Sequence, residues 1–339
     1  MNITGCKVYV IYCTLIAFIF SLSMYNVRRL RMRNNTNVTV WKRRNFIETE
    51  HARKRFMESA TISTAANVIQ PSSHNSNSDI IKCKTVCLFN MTFPICLHDV
   101  RIDSIVSRGL MHGKYWEVAV VSSFVRLLRL DQRLQFVDIG ANIGLHSLPA
   151  ARVSKVISVE PNWLSISRLA KAVDLGAVSS NITLVHNAIS NVRMTAQMDV
   201  DSINQGNAFL ITNNSLHVGM CKSKHGCKKL LPTRTIFLND LLPLMQFKAA
   251  VLKVDVEGQE VNVFTEPTAA QFFDKIDVSL VFLEWFVCRN QPTHFVRRLL
   301  DFFFSRSYKV FSINNVQLAK PYKNWPPNVL FKKVPYIRF

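Results

Sequence analysis

Four acidic residues stand at the ends of short apolar runs: Asp138 in LQFVDI, Glu160 in KVISVE, Asp255 in AVLKVDV and Glu284 in VSLVFLE. Unpaired charge is expensive at a buried strand end, so four acids around one rim point to a ligand rich in hydroxyl and amino groups. Strand alternation places Lys253, Asp255 and Glu257 on one side, with Glu257 at the bend just beyond. A carboxylate within about 3 Å of a hydroxyl can take its proton, and a neighbouring ammonium keeps that carboxylate ionised. Asp255 is the first candidate base, Glu257 the second, and Lys253 their ionising partner. Glu284 is a candidate for binding a further substrate hydroxyl, and Trp285 beside it either lines an acceptor pocket or packs in the core. Asp255 and Glu257 are also hard oxygen ligands that suit a divalent metal, although no third ligand is bound to join them. Glu260 reads as an acid of a helix first turn, favoured there by the helix dipole. His146 could face the ligand but reads mainly as a structural helix-face residue, and His186 reads as structural too.

The elements that must carry these residues alternate. Tyr115–Leu130 has apolar residues at helical spacing. Short apolar runs at Leu134–Ile139, Lys155–Glu160, Ile182–Ile189, Thr235–Leu238, Ala250–Val256, Val278–Glu284, Tyr308–Ile313 and Val329–Lys333 read as strands. Ile166, Leu169, Ala170 and Val173 mark one face of a helix that Gly176 ends. A helix starts near Asn239 or Asp240. The expected fold class is α/β: a doubly wound, mostly parallel sheet of seven strands, with the ligand at the carboxyl ends.

The first strand runs into Asp138-Ile139-Gly140-Ala141-Asn142-Ile143-Gly144. Gly140 permits a tight turn and Gly144 close packing of the following helix. A dinucleotide pyrophosphate needs glycine at the middle position as well, and Asn142 would crowd it. S-adenosylmethionine has no phosphate. Asp138 would hold its ammonium, directly or through water, and Asn142 with the loop N–H groups its carboxylate. Glu160 would accept the ribose hydroxyls, and Asn187 would lie near the adenine edge.

The succession VDIGANIGLHS, VISVEPN, LKVDVEGQE and LVFLEW resembles the FkbM-type S-adenosylmethionine-dependent methyltransferase family, over roughly Trp116 to Phe331. The resemblance implies the class I methyltransferase fold, Rossmann-like in type, and O-methylation of sugars or related hydroxyls. It also implies cofactor-binding roles for Asp138, Gly140, Asn142, Gly144 and Glu160. Asp240 matches the acid of a "TLDDLL"-like segment, with Asn239 beside it. Thr265–Glu266 replaces the glycine found after the helix in many members, and the insert His217–Leu230 is basic and Cys-bearing. Both departures bear on the substrate pocket. A rival reading is a non-catalytic, membrane-anchored interaction or trafficking protein that reuses the fold.

Outside this domain, Val8–Tyr25 carries no charged side chain and at full helical rise would measure about 27 Å, enough to cross a bilayer core. The expected layout is a short tail (1–7), a signal anchor (8–25), a polar basic stem (26–80), a helical lead-in (81–133) and the methyltransferase domain (134–339). Arg28, Arg29, Arg31 and Arg33 after the span favour a cytosolic domain. Six downstream cysteines (Cys83, Cys87, Cys96, Cys221, Cys227 and Cys288) favour three disulfides in an oxidising lumen. So do sequons at Asn34, Asn37, Asn90, Asn181 and Asn213. The expectation adopted is a type II, single-pass Golgi protein whose acceptor is a glycan or small hydroxyl compound. Lys and Arg number 42 against 22 Asp and Glu, a net charge of +20. Such a balance suits an anionic partner, but anchorage disfavours nucleic acid, and the basic run Lys222, Lys224, His225, Lys228 and Lys229 reads mainly as a solvated loop. With 10 Gly the chain is not collagen-like or Gly-rich, and it has no internal repeat, zinc-spaced Cys/His set or Ser-His-Asp signature.

Overall fold

The computed structural model describes residues 81–334 apart from 203, 212–226, 266 and 267, together with 38–39, 66 and 68–69. The anchor expected at 8–25 and most of the stem lie outside the described residues, as do Cys221 and the sequons at Asn34, Asn37 and Asn213. Among the described residues no helix is long and apolar enough to cross a membrane.

The domain opens with a hairpin of β1 (Lys82–Leu88) and β2 (Met91–Leu97), within the stretch expected as a helical lead-in. Phe89 and Asn90 both take positive φ at its two-residue turn, the geometry whose twist suits a hairpin. Asn90 was the readable signal, since asparagine tolerates that conformation. Cys83 and Cys96 face each other across the ladder and form a disulfide. Cys87 is also disulfide-bonded, whereas Cys288 is a buried free thiol. The expected three-bridge set is therefore not formed, because Cys288 stays a thiol buried inside the core. α1 (Val106–Met111) and α2 (Val118–Leu130) follow.

The α/β unit comprises β3 (Leu134–Ile139), α3 (Ser147–Ala151), β4 (Val156–Val159), α4 (Trp163–Gly176) and β5 (Ile182–Val185). The run expected as one strand to Ile189 breaks after Val185. His186 Nε2 engages the Pro161 carbonyl at 3.0 Å, and Asn187 Nδ2 donates to the Arg234 carbonyl at 3.1 Å. The chain resumes as β6 (Ala188–Ile189) in a second sheet with β7 (Thr195–Asp201), β8 (Asn204–Ile211) and β9 (Cys227–Ile236). The expected strand Thr235–Leu238 is the tail of β9, and a 3₁₀ helix spans Leu238–Leu244. Then come β10 (Ala249–Val254), α5 (Glu260–Thr265), α6 (Ala269–Lys275), β11 (Asp277–Glu284), α7 (Thr293–Phe304), β12 (Tyr308–Ser312) and β13 (Asn328–Lys333).

The large sheet has the order β12-β13-β11-β10-β3-β4-β5, with Val68–Ile69 as a two-residue eighth strand beside β5. The five strands from β11 to β5 run parallel, and β13 is antiparallel to both its neighbours. This is the expected mostly parallel, seven-stranded sheet with one short addition. Both of its faces are covered, so alternation divides its side chains between two cores. Leu134, Phe136, Val251 and Phe282 join the core under α2, α3 and α4. Val137, Ile139, Leu252, Val254 and Leu283 join the core under α5, α6 and α7. Phe124 of α2 stacks on Phe136 with ring centroids 4.4 Å apart. Continuing the alternation, Asp138, Lys253 and Glu284 fall on the α2 side.

The ends of β3 and β10 meet closely. Asp255 N donates to the Ile139 carbonyl at 3.0 Å. A Cβ on Gly140, at φ +85°, would lie 1.7 Å from the Asp255 carbonyl oxygen, whereas one on Gly113, at φ +75°, would meet nothing within 4 Å. A left-handed backbone costs a non-glycine residue about 1–3 kcal/mol. Gly113→Ala should therefore lose about that much in urea denaturation, and Gly140→Ala clearly more, because Asp255 must also be displaced.

Candidate active site

A cavity of about 550 Å³ opens at the carboxyl ends of β3, β4, β10 and β11, within the size range of small-molecule sites. One end is formed by the loop from Gly140 to Asn142, by Glu160 and Pro161, and by Asn187–Ile189. The other is formed by Lys253, Asp255, Glu257, Glu284, Phe286 and Asn328. The second sheet closes one side through Met198, Gly206 and Leu210.

Glu160 sits at the end of β4 with both carboxylate oxygens held by the backbone. Oε2 accepts from Asn142 N and Oε1 from Asn162 N, each at 2.8 Å. Burial pushes its carboxyl up to about 7, against those two hydrogen bonds. Asn142 has φ +50°. Its Nδ2 donates to the Gly206 carbonyl at 3.3 Å, while its Oδ1 is buried without a partner. The free atom of Asn142 is thus an acceptor, opposite to the donor expected of it toward a ligand carboxylate. Asn187 lines the cavity, as expected, with its amide anchored on β9. Gly144 does not line it. Its missing side chain leaves room for Leu169, which a Cβ would approach to 2.4 Å.

Asp138 departs from its expected role. It is fully buried, accepts from Ser147 Oγ at 2.6 Å, and lies outside the cavity lining. Ser158 Oγ in turn donates to Ser147 Oγ at 2.7 Å. The charge facing Asp138 is internal: Lys253, its register partner on β10, has Nζ 4.0 Å from Asp138 Oδ1. The same ammonium donates to Asp255 Oδ2 at 2.9 Å. Burial alone would push the Lys253 ammonium down, but the charges of Asp255, Asp138 and Glu117 outweigh it and hold the group above its ordinary value. Lys253 is the one Lys or Arg in the cavity lining among the described residues.

The remaining acids differ in state. Burial, together with the charges of Asp255, Glu260 and Glu257, pushes Glu284 up to about 10. Burial, with the charges of Asp255, Glu260 and Glu160, raises Glu257 well above its ordinary value against the pull of Lys253. Glu260 lies behind them, where its Oε1 accepts from Val256 N and Gly258 N, each at 3.1 Å. It closes the turn into α5, in keeping with its helix-start reading, and burial raises it to about 7. Trp285 does not line the cavity. It is fully buried, donates from Nε1 to the Tyr322 carbonyl at 2.8 Å, and packs on Trp325. β11 ends at Glu284, and it is Phe286 that reaches the cavity.

Sequence reasoning missed Glu117 and read His146 mainly as structural, although it lines the cavity. Glu117 stands at the head of α2 with φ +53°. Its Oε2 lies 3.2 Å from His146 Nε2, and its Oε1 accepts from Asn328 Nδ2 at 2.5 Å. Burial pushes this carboxyl up, but the His146 hydrogen bond and charge, with Lys253 and Asn328, bring it down to about 2. Nothing in the spacing of YWEVAVV marks Glu117, because its partners come from distant segments. Among the described residues no three His, Cys, Asp or Glu side chains converge to hold a metal ion.

Residues 138–310 match the family model of the methyltransferase FkbM domain. The chain belongs to this family. No curated protein matches it. The FkbM domain here is similar in structure to an O-methyltransferase of tomaymycin synthesis from Streptomyces achromogenes, solved with SAM (10% identity, 70% of this chain and 91% of that one, TM-score 0.38). It is also similar to a SAM-dependent O-methyltransferase from Thermotoga maritima (10%, 74% and 77%, 0.35) and a precorrin-6y methyltransferase from Geobacter metallireducens (12%, 64% and 89%, 0.33). The family match spans β3 to β12, so it takes in the loop at Gly140, Glu160 and the Lys253–Glu260 turn of this FkbM domain.

The raised carboxyls set a pH dependence. Glu160 and Glu260 ordinarily titrate near 4.5 and here near 7, so between those values the folded FkbM domain holds protons that the unfolded chain releases. Their stabilising contribution is complete below about 4.5 and is lost as pH rises through about 7. A one-unit displacement is worth about 1.4 kcal/mol. Urea denaturation of the ligand-free protein should show the unfolding free energy falling over that window, and Glu260→Gln should flatten the fall.

Proposed function

We propose that this FkbM domain is an S-adenosylmethionine-dependent O-methyltransferase acting on a hydroxyl of a glycan or related polyhydroxyl compound. The observation that supports it most is the cavity itself. Acids at three strand ends (Glu160, Asp255 and Glu284), with Glu117 and Glu257, face one space with a single lysine among them, and that suits a ligand carrying cationic groups and hydroxyls. A phosphate-bearing dinucleotide would meet the Glu160 carboxyl and the Asn142 side chain at the turn where it needs bare backbone.

The residues fit the cofactor with two changes of role. Glu160 is fixed by two backbone N–H groups, and its remaining lone pairs suit a ribose diol. The orphaned Asn142 Oδ1 suits an ammonium, the part assigned from sequence to Asp138. Asp138 instead holds Lys253 and the Ser147–Ser158 pair in place behind the site. Asn187 lies on the wall suited to the adenine edge. When bound, S-adenosylmethionine supplies a methyl group already activated on a sulfonium.

The chain's own task is then to position an acceptor oxygen and remove its proton. Asp255 takes the Lys253 ammonium on Oδ2, which leaves Oδ1 for the hydroxyl proton. Lys253 does not itself act as the base, because its neighbours hold it protonated. Glu284, pushed up to about 10 by burial and by the charges of Asp255, Glu260 and Glu257, is neutral near pH 7 and can donate a hydrogen bond to an acceptor oxygen, and Glu257 is shifted in the same direction. Such general-base assistance is typically worth 10²–10⁴ in rate.

The compartment reading goes with this proposal: a type II, single-pass Golgi protein with the domain lumenal. The Cys83–Cys96 disulfide supports it, as such bonds persist in oxidising compartments. Asn90 is exposed at the hairpin turn and free to carry a glycan. Asn181 is not, because its amide bonds the Ala151 carbonyl and accepts from Lys155.

Calorimetry on the full-length protein should detect S-adenosylmethionine binding, and absence of binding would sink the proposal. A donor-labelled assay over a glycan panel should find methyl transfer. Asp255→Asn should keep cofactor affinity within a few-fold and lower transfer by about 10²–10⁴. Cofactor affinity should also rise with pH through about 7 as Glu160 ionises, a dependence that Glu160→Gln abolishes. Endoglycosidase treatment of the cell-expressed protein should shift its mobility, and Asn90→Gln should reduce the shift.

A further inference from the structure

Two large aromatic side chains stand half in solvent where the cavity opens. Trp116 is 52% exposed and Phe286 51%, and both line the cavity. They flank one segment. Phe286 N donates to the Pro327 carbonyl at 3.1 Å, and Glu117, next to Trp116, accepts from Asn328 at 2.5 Å. Phe286 is held in place from outside: the Arg289 guanidinium lies 5.0 Å from its ring centroid and is itself anchored on the Trp325 carbonyl. Ile105, 44% exposed, lines the cavity as well.

Apolar area of this size is normally buried, and contiguous exposed patches mark ligand or partner surfaces. Here the patch continues into a cavity whose lining includes the acids Glu117, Asp255, Glu257 and Glu284 and one lysine, Lys253. The chain as a whole is strongly basic at +20, so the sign of the site runs against that of the molecule. A ligand entering past the aromatics meets flat apolar rings first and carboxyl groups next. An added anionic group would be desolvated against like charge. A hydroxyl would find both acceptors and, at Glu257 and Glu284, donors.

We infer that the acceptor is an uncharged sugar, bound with its apolar C–H face on Trp116 and Phe286 and its hydroxyls on Asp255, Glu257 and Glu284. This rests on the methyltransferase reading for the identity of the reaction, but not for the binding itself. For this site it reverses the anionic partner that the net charge of the whole chain suits. Trp116 and Phe286 are then substrate-binding residues, and neither is needed for the fold: Trp116 lies in a loop ahead of α2, and Phe286 packs only at the surface.

The test reads acceptor binding without methyl transfer. Full-length protein is titrated with the methyl glycosides of glucose, galactose, mannose and xylose, and with methyl glucuronide and methyl galacturonide, by saturation-transfer NMR. The expected result is that at least one neutral glycoside binds at least tenfold more tightly than either uronide. Trp116→Ala and Phe286→Ala should each weaken that binding about tenfold and leave the thermal unfolding midpoint unchanged. Uronides that bind as tightly as the neutral glycosides, no binding of any neutral glycoside, or full binding by both variants would overturn the inference. If neutral glycosides bind as expected but the protein binds no S-adenosylmethionine, the reaction assignment fails and the sugar site stands.

Discussion

Lys253 is a buried ammonium among carboxyl groups from four segments, and the site is arranged around that charge. Its register partner Asp138 is 4.0 Å away and Asp255 is 2.9 Å away. The two acids belong to adjacent strand ends, so without the lysine the turns after β3 and β10 would bring like charges together where Gly140 already presses on the Asp255 carbonyl. One cation cannot satisfy every acid. Glu117, with His146 and Lys253 beside it, is brought down to about 2. Glu257 and Glu284, where burial and neighbouring carboxylates outweigh the lysine, are pushed up instead. The division between proton acceptors and proton donors in the cavity follows from where one ammonium sits.

That arrangement separates the character of the site from that of the molecule. Net charge describes the long-range field, which governs how surfaces meet partners. The cavity is described by short distances in a low-dielectric setting, where local charges dominate. A methyl donor bearing a cation, and an acceptor bearing hydroxyls, are both matched to the local sign. The second sheet belongs to this local setting too, because Gly206 and Gln205 of β8 accept from Asn142 and Asn162 at the Glu160 end. One wall of the cavity is thereby tied to the turns that would hold a nucleoside.

Much of this was legible in the sequence. Period-two alternation and apolar runs revealed the sheet, and the acids at strand ends marked the rim, because local pattern alone dictates both. Gly140 and Gly144 were recognisable as positions of close approach, although what approaches is Asp255 and Leu169 rather than a ligand. What could not be read depends on distant segments meeting. Glu117 becomes part of the site only through His146 and Asn328. Asp138 was assigned to a ligand because its internal partner sits on a strand more than a hundred residues later. Trp285 and Phe286 are adjacent apolar residues past a strand end, and only the packing of Trp325 and Tyr322 decides which one turns inward. The antiparallel strands β7–β9 were missed because they carry polar residues on the exposed face and straddle a basic insert.

Cys288 adds a consequence for how the chain matures. An unpaired thiol in a protein with disulfides can attack a bridge and scramble it, and the attacking species is the thiolate. Cys288 is wholly enclosed, and burial beside Glu260 and Glu284 raises its thiol well above the ordinary range. Once the core has closed, this sulfur is silent, and the Cys83–Cys96 bridge is safe from it. Before closure it is not, so correct oxidation of the hairpin depends on the sheet burying Cys288 before exchange can occur.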